Sequence, residues 1–183
     1  MERINGIPKT ADGRLELAFE IQAQCEEKGI PNNKLFFDPL ILPITVDQSQ
    51  ALEAINTIQM IKNTFENPVN TVIGLSNISN GAPKELRPLL NRTFLALAFG
   101  AELDAAIVDA FDTELIKMVK MLSEDNPLSE KDFLYRDIAN SVRNFTDIED
   151  VTFDSKNQEL ASIYATAKVL LNKEIYSNKY TSV

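Results

Sequence analysis

The sequence predicts an α/β fold made of parallel β/α units, and three observations carry that prediction. Amphipathic stretches of helical spacing alternate with short apolar runs along most of the chain. Those runs are apolar on both faces, as in parallel strands covered by helices. Alternation of this kind joins parallel strands through right-handed crossovers. The length of 183 residues suits one domain with a real core, but it falls below the ~200–250 residues of a closed eight-stranded β/α barrel.

The elements follow in order. Thr10 to Lys28 is predicted as a helix with Leu15, Ala18, Phe19, Ile21, Gln22 and Cys25 as its apolar stripe. Thr10 or Asp12 can cap it, and Gly29 ends it. The run Leu35 to Pro43 is a buried strand that Pro39 must end, so Asp38 stands at a strand's carboxyl end. Gln50 to Phe65 is a second helix through Leu52, Ile55, Ile58, Met60, Ile61 and Phe65, and Pro68 stops it. Thr71 to Asn77 is a second strand with polar residues at its end. Pro88 opens a third helix carrying Leu89, Leu90, Phe94, Leu95 and Leu97, and Gly100 breaks it. Ala105 to Ala110 is a third strand, and helix resumes from Glu114 to Leu122.

From Ser123 to Asn157 the pattern changes. Nine acids against four bases place much of the chain's formal charge of −9 in this stretch. Phe133, Leu134, Ile138, Val142 and Phe145 predict one short amphipathic helix within it. A charge run of this kind is a solvated face or a docking surface for another protein. Leu160 to Tyr176 is predicted as the final helix.

Composition excludes several functions. Phosphate backbones would repel so acidic a chain, and no basic stripe is present, so nucleic acid is not an expected partner. With no His and only Cys25, no Ser/His/Asp triad, Cys/His pair, usual zinc site or disulfide framework can be assembled. Cys25 is expected as a small core residue. Charged Glu2 and Arg3 follow Met1, and no apolar stretch reaches the ~20 residues that span a bilayer, so a cytoplasmic, soluble protein is expected.

In parallel β/α folds, ligands bind where the carboxyl ends of strands and the following loops converge. Asp38, Ser76-Asn77 and Asp109 occupy three such ends. Each also has a structural explanation: Asp before Pro is a turn residue, Ser-Asn is capping material, and Asp109 or Asp112 can cap the next helix. Asp38 is the sharpest case, because Phe36, Phe37, Leu40, Ile41 and Leu42 are expected to surround its carboxylate with apolar side chains, and such a carboxylate needs donors.

Four ordered blocks narrow the reading: Phe37-Asp38-Pro39-Leu40-Ile41-Leu42-Pro43, Val72-Ile73-Gly74-Leu75-Ser76-Asn77-Ile78-Ser79, Arg87-Pro88-Leu89-Leu90-Asn91-Arg92-Thr93-Phe94-Leu95-Ala96 and Ala106-Ile107-Val108-Asp109-Ala110. Together they resemble the second half of the pterin-binding methyltransferases, most of all those that act between methyltetrahydrofolate and a corrinoid/iron-sulfur protein. The resemblance runs from about residue 6 to 122 and again over the last helix. Dihydropteroate synthases share the barrel and pterin pocket and are a more distant likeness.

The resemblance implies a set of roles. Asp38 would accept the adjacent N–H donors on the pterin's pyrimidine edge. Asn77 would hydrogen-bond at the ring nitrogen from which the methyl group leaves, stabilising it while the proton comes from solvent. Gly74 and Ser76 would leave room for the ring, Ile107 would pack on it, and Arg87 would border the folate. Asn80 stands where a Gln is usual in the family. Asn91 and Arg92 are expected on the helix surface or in helix packing. Methyltetrahydrofolate would be the substrate, a corrinoid (cobamide) carried by a partner corrinoid protein would accept the methyl group, and this chain would hold no metal.

The implied fold is an incomplete (β/α)8, TIM-type barrel of about three strands with a helical acidic insertion. Its parts are residues 1–122 as carboxyl-terminal β/α units, 123–157 as the insertion, and 158–183 as final helix and tail. Met1 to Ile4 is at most the tail of a preceding strand. Three strands cannot close a barrel, so the open edge needs a partner: a missing amino-terminal barrel half or a second copy. The competing expectation is a non-catalytic interaction module from a truncated or split gene.

Overall fold

The computed structural model describes residues 6–181. Its centre is a three-stranded parallel sheet in the order β1-β2-β3, with β1 at Phe36–Phe37, β2 at Asn70–Gly74 and β3 at Ala105–Ile107. The predicted parallel β/α alternation is therefore present. The register sets Phe36 beside Asn70, Val72 beside Ala105 and Gly74 beside Ile107. Side chains alternate between faces along a strand, so Phe37, Thr71 and Ile73 share one face while Phe36, Val72, Gly74 and Ile107 share the other.

Among the described residues six α-helices accompany the sheet: α1 at Ala11–Glu27, α2 at Ser49–Thr64, α3 at Arg87–Gly100, α4 at Thr113–Glu124, α5 at Glu130–Arg143 and α6 at Gln158–Leu170. Their starts follow local chemistry. The hydroxyl of Thr10 accepts from Gly13 N–H, the carboxylate of Asp112 from Leu115 N–H, and the side chain of Asn157 from Glu159 and Leu160 N–H. Ser129 and Asp132 form a reciprocal capping box at α5.

The strands are shorter than expected. Only two residues of the Leu35 to Pro43 run form a ladder, and Leu40, at φ +61°, turns the chain away just beyond Pro39. After Gly74 the chain enters a 3-10 turn at Leu75–Ser79, so Ser76 and Asn77 lie on a turn rather than on the strand itself. The final helix ends at Leu170 instead of Tyr176, because Asn172 takes a left-handed φ of +57°.

The main core lies between α2 to α6 and the Ile73 face of the sheet, with α3 at its middle. Leu90, Phe94, Leu97 and Ala98 of α3 are fully buried, as are Ile55, Ile58 and Ile138 around them. The predicted helix within the acidic stretch is α5, and its inner side belongs to this core: Leu134, Ile138 and Ala139 are buried, whereas Phe133 and Phe145 face outward.

Gly100 needs a corrected explanation. Its φ is not in the left-handed region, and it is the last residue of α3 rather than a break in it. A Cβ there would sit 2.1 Å from the carbonyl oxygen of Ala139. The missing side chain is what lets α5 approach α3.

A smaller cluster of Ala18, Phe37, Ile61 and Val69 ties α1 to the β1 edge, with the Phe19 and Phe65 rings 4.7 Å apart at its margin. The stripe expected on α1 is only partly inward: Ala18 is buried, Cys25 is half-buried rather than in the core, and Phe19 and Ile21 are exposed. The segment Met1 to Ile4 lies outside the described residues. No helix among the described residues is long and apolar enough to cross a membrane.

Candidate functional site

Among the described residues nothing covers one face of the sheet, and the strand ends on that side carry sequence-predicted residues. Asp38 follows β1 directly and is exposed. The apolar surround expected for it is absent, because Phe36 on the same face is 56% exposed and Leu40 is exposed as well. Of the apolar residues around Asp38, Phe37, Pro39 and Ile41 are buried on the covered side, but among the described residues nothing covers Phe36 and Leu40. One carboxylate oxygen, Oδ1, accepts from Leu40 N–H at 2.8 Å. This turn bond, closed over Pro39 with Leu40 held left-handed, orients the carboxylate and costs about 1 kcal/mol in backbone strain.

Asn77 projects from the 3-10 turn after β2 and is exposed, and its side-chain amide makes no hydrogen bond to another described residue. A Cβ on Gly74 would lie 3.3 Å from Asn77 Nδ2, so the bare backbone at Gly74 makes room for the amide. The carbonyl of Asn77 accepts from Asn80 N–H at 3.2 Å, and the carbonyl of Asn80 accepts from the Thr45 hydroxyl at 2.9 Å. These bonds brace the loop against the chain that follows Asp38.

Beside Asn77 opens a cleft of about 720 Å³ whose lining includes Ser76, Asn77, Asn80, Arg87, Asp109 and Phe111. Four predicted residues therefore meet there. Asp38, Gly74 and Ile107 lie on the adjoining open sheet face instead, and Ile107 is 73% exposed. Arg87 Nε donates to the carbonyl of Ala82 at 2.9 Å, which fixes its guanidinium to the loop.

Asp109, two residues beyond β3, accepts from Phe111 N–H at 2.9 Å and shapes the opposite wall. Arg92 pairs with Asp112 at 2.6 Å, joining α3 to the start of α4, in line with the packing role expected for it. Burial would raise the Asp112 carboxyl, but hydrogen bonds from Arg92 and Leu115 N–H and the nearby guanidinium charge outweigh it and hold the group below its ordinary range.

Sequence reasoning passed over Lys84 and Phe111, which also line this cleft. The available signal was the Lys84 to Arg87 spacing and the Asp-Ala-Phe turn after the third strand. A second cleft, of about 740 Å³, lies between α4, α5 and α6 over Met118, Met121, Tyr135 and Ile163, and holds none of the predicted residues. Among the described residues no three His, Cys, Asp or Glu side chains converge as metal ligands would.

The chain is 32% identical over 110 residues to methionine synthase of Mycobacterium tuberculosis (strain ATCC 25618 / H37Rv), a match that covers 57% of this chain and 9% of that protein. The chain thus spans a small part of the relative it matches. Residues 5–109 match the family model of the pterin binding enzymes. That match takes in β1, β2, β3 and the turns that carry Asp38 and Asn77, and the chain belongs to the pterin-binding enzyme family.

Proposed function

We propose that this chain carries the carboxyl-terminal β/α units of the pterin-binding barrel of a cytoplasmic methyltransferase that moves the methyl group of 5-methyltetrahydrofolate to the corrinoid of a partner corrinoid protein. The observation that carries the reading is the pairing of Asp38 and Asn77 at adjacent strand ends of one open sheet face, in a member of this family. Asp38, already oriented by the Leu40 N–H, has acceptor capacity left for the two donors of a pterin's pyrimidine edge. Gly74 and Ser76 leave room for the ring, Ile107 offers an apolar surface beside it, and Arg87 borders the substrate. Asn80 braces the turn.

The methyl group must leave a ring nitrogen that is a poor leaving group as a free base. Asn77 offers an amide that stabilises this nitrogen as it takes a proton from solvent. A neutral amide holds the proton's destination and does not supply the proton. The corrinoid, when bound to its own protein, supplies the cobalt nucleophile. That division asks of this chain only hydrogen-bonding groups, which Asp38 and Asn77 are. The wall opposite the open face is proposed to come from strands outside the described residues.

Calorimetric titration with 5-methyltetrahydrofolate of the chain complemented by the rest of the barrel tests the reading. Wild-type binding in the micromolar range is expected, and Asp38→Ala weakens it about 100-fold, as loss of a bidentate charge-assisted contact does. Absence of wild-type binding, with the rest of the barrel supplied, overturns it.

A second reading, a non-catalytic interaction module, is favoured by the exposure of Phe36 and Ile107 on one sheet face and of Phe111 on the turn beyond β3. Turnover by the purified chain alone removes it.

A further inference from the structure

We infer that the turn after α6, residues 171–176, holds the Asn77 loop in place through Gln48, which makes Gln48 a positioning residue for the methyl transfer. This role rests on the folate reading above and deepens it by naming what fixes the transfer residue from outside the site.

The Asn77 turn is supported by the segment that follows Asp38. The Ile78 carbonyl accepts from Ile44 N–H at 3.0 Å, and the Asn80 carbonyl accepts from the Thr45 hydroxyl at 2.9 Å. Thr45 also fills the space beside Gly81, at φ +79°, where a Cβ would come within 2.9 Å of the Thr45 hydroxyl oxygen. Ile44 is buried, but Thr45 and Val46 are exposed, and the N–H groups of Val46 and Asp47 both donate to the nearby Pro43 carbonyl. A segment bonded so locally needs a fixed point at its far end.

Gln48 supplies that point. It stands at the start of α2 but makes no capping bond to that helix. Its side-chain amide instead donates to the Val169 carbonyl and Asn172 Oδ1, each at 3.1 Å, and to the Glu174 carbonyl at 2.5 Å. Its side-chain oxygen accepts from Tyr176 N–H at 2.6 Å. One side chain thus gathers four groups that lie 121 to 128 residues further along the chain. Holding it in one conformation costs side-chain entropy, which bonds at both ends of the carboxamide offset.

The receiving turn is itself anchored. Asn172, at φ +57°, reverses the chain, Lys168 pairs with Glu174, and Lys173 Nζ reaches Asp147 Oδ2 at 2.7 Å. The Tyr176 ring packs on Tyr180, whose hydroxyl lies 3.0 Å from that of Thr166 on α6. Support therefore runs from α6 through Gln48 and residues 43–47 to the carbonyls on either side of the Asn77 turn. Asp38 lies off this path, because its carboxylate is oriented by the Leu40 N–H. Loss of Gln48 should disturb the chemistry at Asn77 and spare the binding contact at Asp38.

The test uses Gln48→Ala and Thr45→Val in the chain complemented by the rest of the barrel. Amide hydrogen exchange reads the loop, and steady-state methyl transfer from 5-methyltetrahydrofolate to free cob(I)alamin reads the chemistry. In Gln48→Ala, exchange at Ile44 and Asn80 is expected to quicken about 10-fold. Its kcat is expected to fall about 10-fold while KM for the folate stays within about 2-fold. Thr45→Val deletes the bond to Asn80, and the same split is expected; the double variant should lose no more than the more damaged single variant, since both cut one path. Ile163→Val is the control: it lowers the unfolding midpoint from within the core and should leave kcat unchanged. Unaltered exchange and kcat in both loop variants, a loss confined to KM, or an equal kcat loss in Ile163→Val overturns the positioning role and leaves the folate reading standing. Absence of methyl transfer by the complemented wild type overturns both.

Discussion

Phe36 and Phe37 are adjacent and identical in chemistry, yet one is 56% exposed and the other 8%. They point to opposite faces of the same sheet. On the Phe37 face, Thr71 and Ile73 are wholly buried beneath helices, whereas on the Phe36 face Ile107 stays 73% exposed. Similar apolar strands thus acquire different functions through what is packed opposite them. The covered face holds the molecule together, and the open face carries Asp38, Gly74 and the approach to Asn77. Because the residues that stabilise and the residues proposed to bind lie on different sides of one sheet, substitutions can separate the two.

The largest expected effect is on the covered face. Ile73→Ala removes a side chain with no exposed surface and is expected to cost about 4 kcal/mol, lowering the unfolding midpoint by about 8–16 °C. The matching change on the open face, Ile107→Ala, is expected to alter stability by less than about 0.5 kcal/mol. Thermal unfolding of both variants measures the contrast directly, and equal losses would break it.

Gly100→Ala follows in size. Its new methyl would meet the backbone of Ala139 at 2.1 Å, and backbone cannot swing aside as a side chain can. The α3–α5 contact must open, at a cost of about 3 kcal/mol, measurable by urea unfolding. Gly74→Ala is the opposite case, since its methyl meets only the end of Asn77 at 3.3 Å. Stability is expected to fall by about 1 kcal/mol or less, while methyl transfer falls about 10-fold as the Asn77 amide is displaced. A variant of Gly74 with unchanged transfer would detach Asn77 from the chemistry.

These contrasts also show what could be read from the letters. Helical spacing and cap residues were legible: Thr10, Asp112 and Pro88 stand where α1, α4 and α3 begin, and helices of the expected register follow. The parallel order was legible too, because it follows from connection lengths and handedness. Burial was less so. The residues around Asp38 spell a buried strand, but burial depends on a second surface that no local pattern encodes. Gly100 suggested a break, although its purpose is a contact with a helix about forty residues away in sequence. Within the acidic 123–157 stretch the helix was legible, since Leu134, Ile138 and Val142 recur at helical spacing and are buried, whereas Phe133 and Phe145 of the same predicted stripe face outward.

The smallest expected effect lies on the border between the two faces, where Arg92 of α3 holds Asp112 at the start of α4 and closes one wall of the cleft. The Asp112 carboxyl titrates below its ordinary value in the folded chain, so folding favours its charged form. The resulting stabilisation is fully present above the ordinary carboxylate range, near pH 4, and is lost as pH falls through the lowered folded value. Arg92→Gln removes the guanidinium but leaves the burial, which raises the group, so the Asp112 carboxyl is expected to titrate higher in the variant. The stability difference between wild type and variant should then be widest near neutral pH and should narrow below about pH 4. Carboxyl-carbon NMR titration of Asp112, with unfolding midpoints at pH 7 and pH 3, measures both. A gap that widened on acidification would mean that the pair is not what ties the covered helices to the cleft wall.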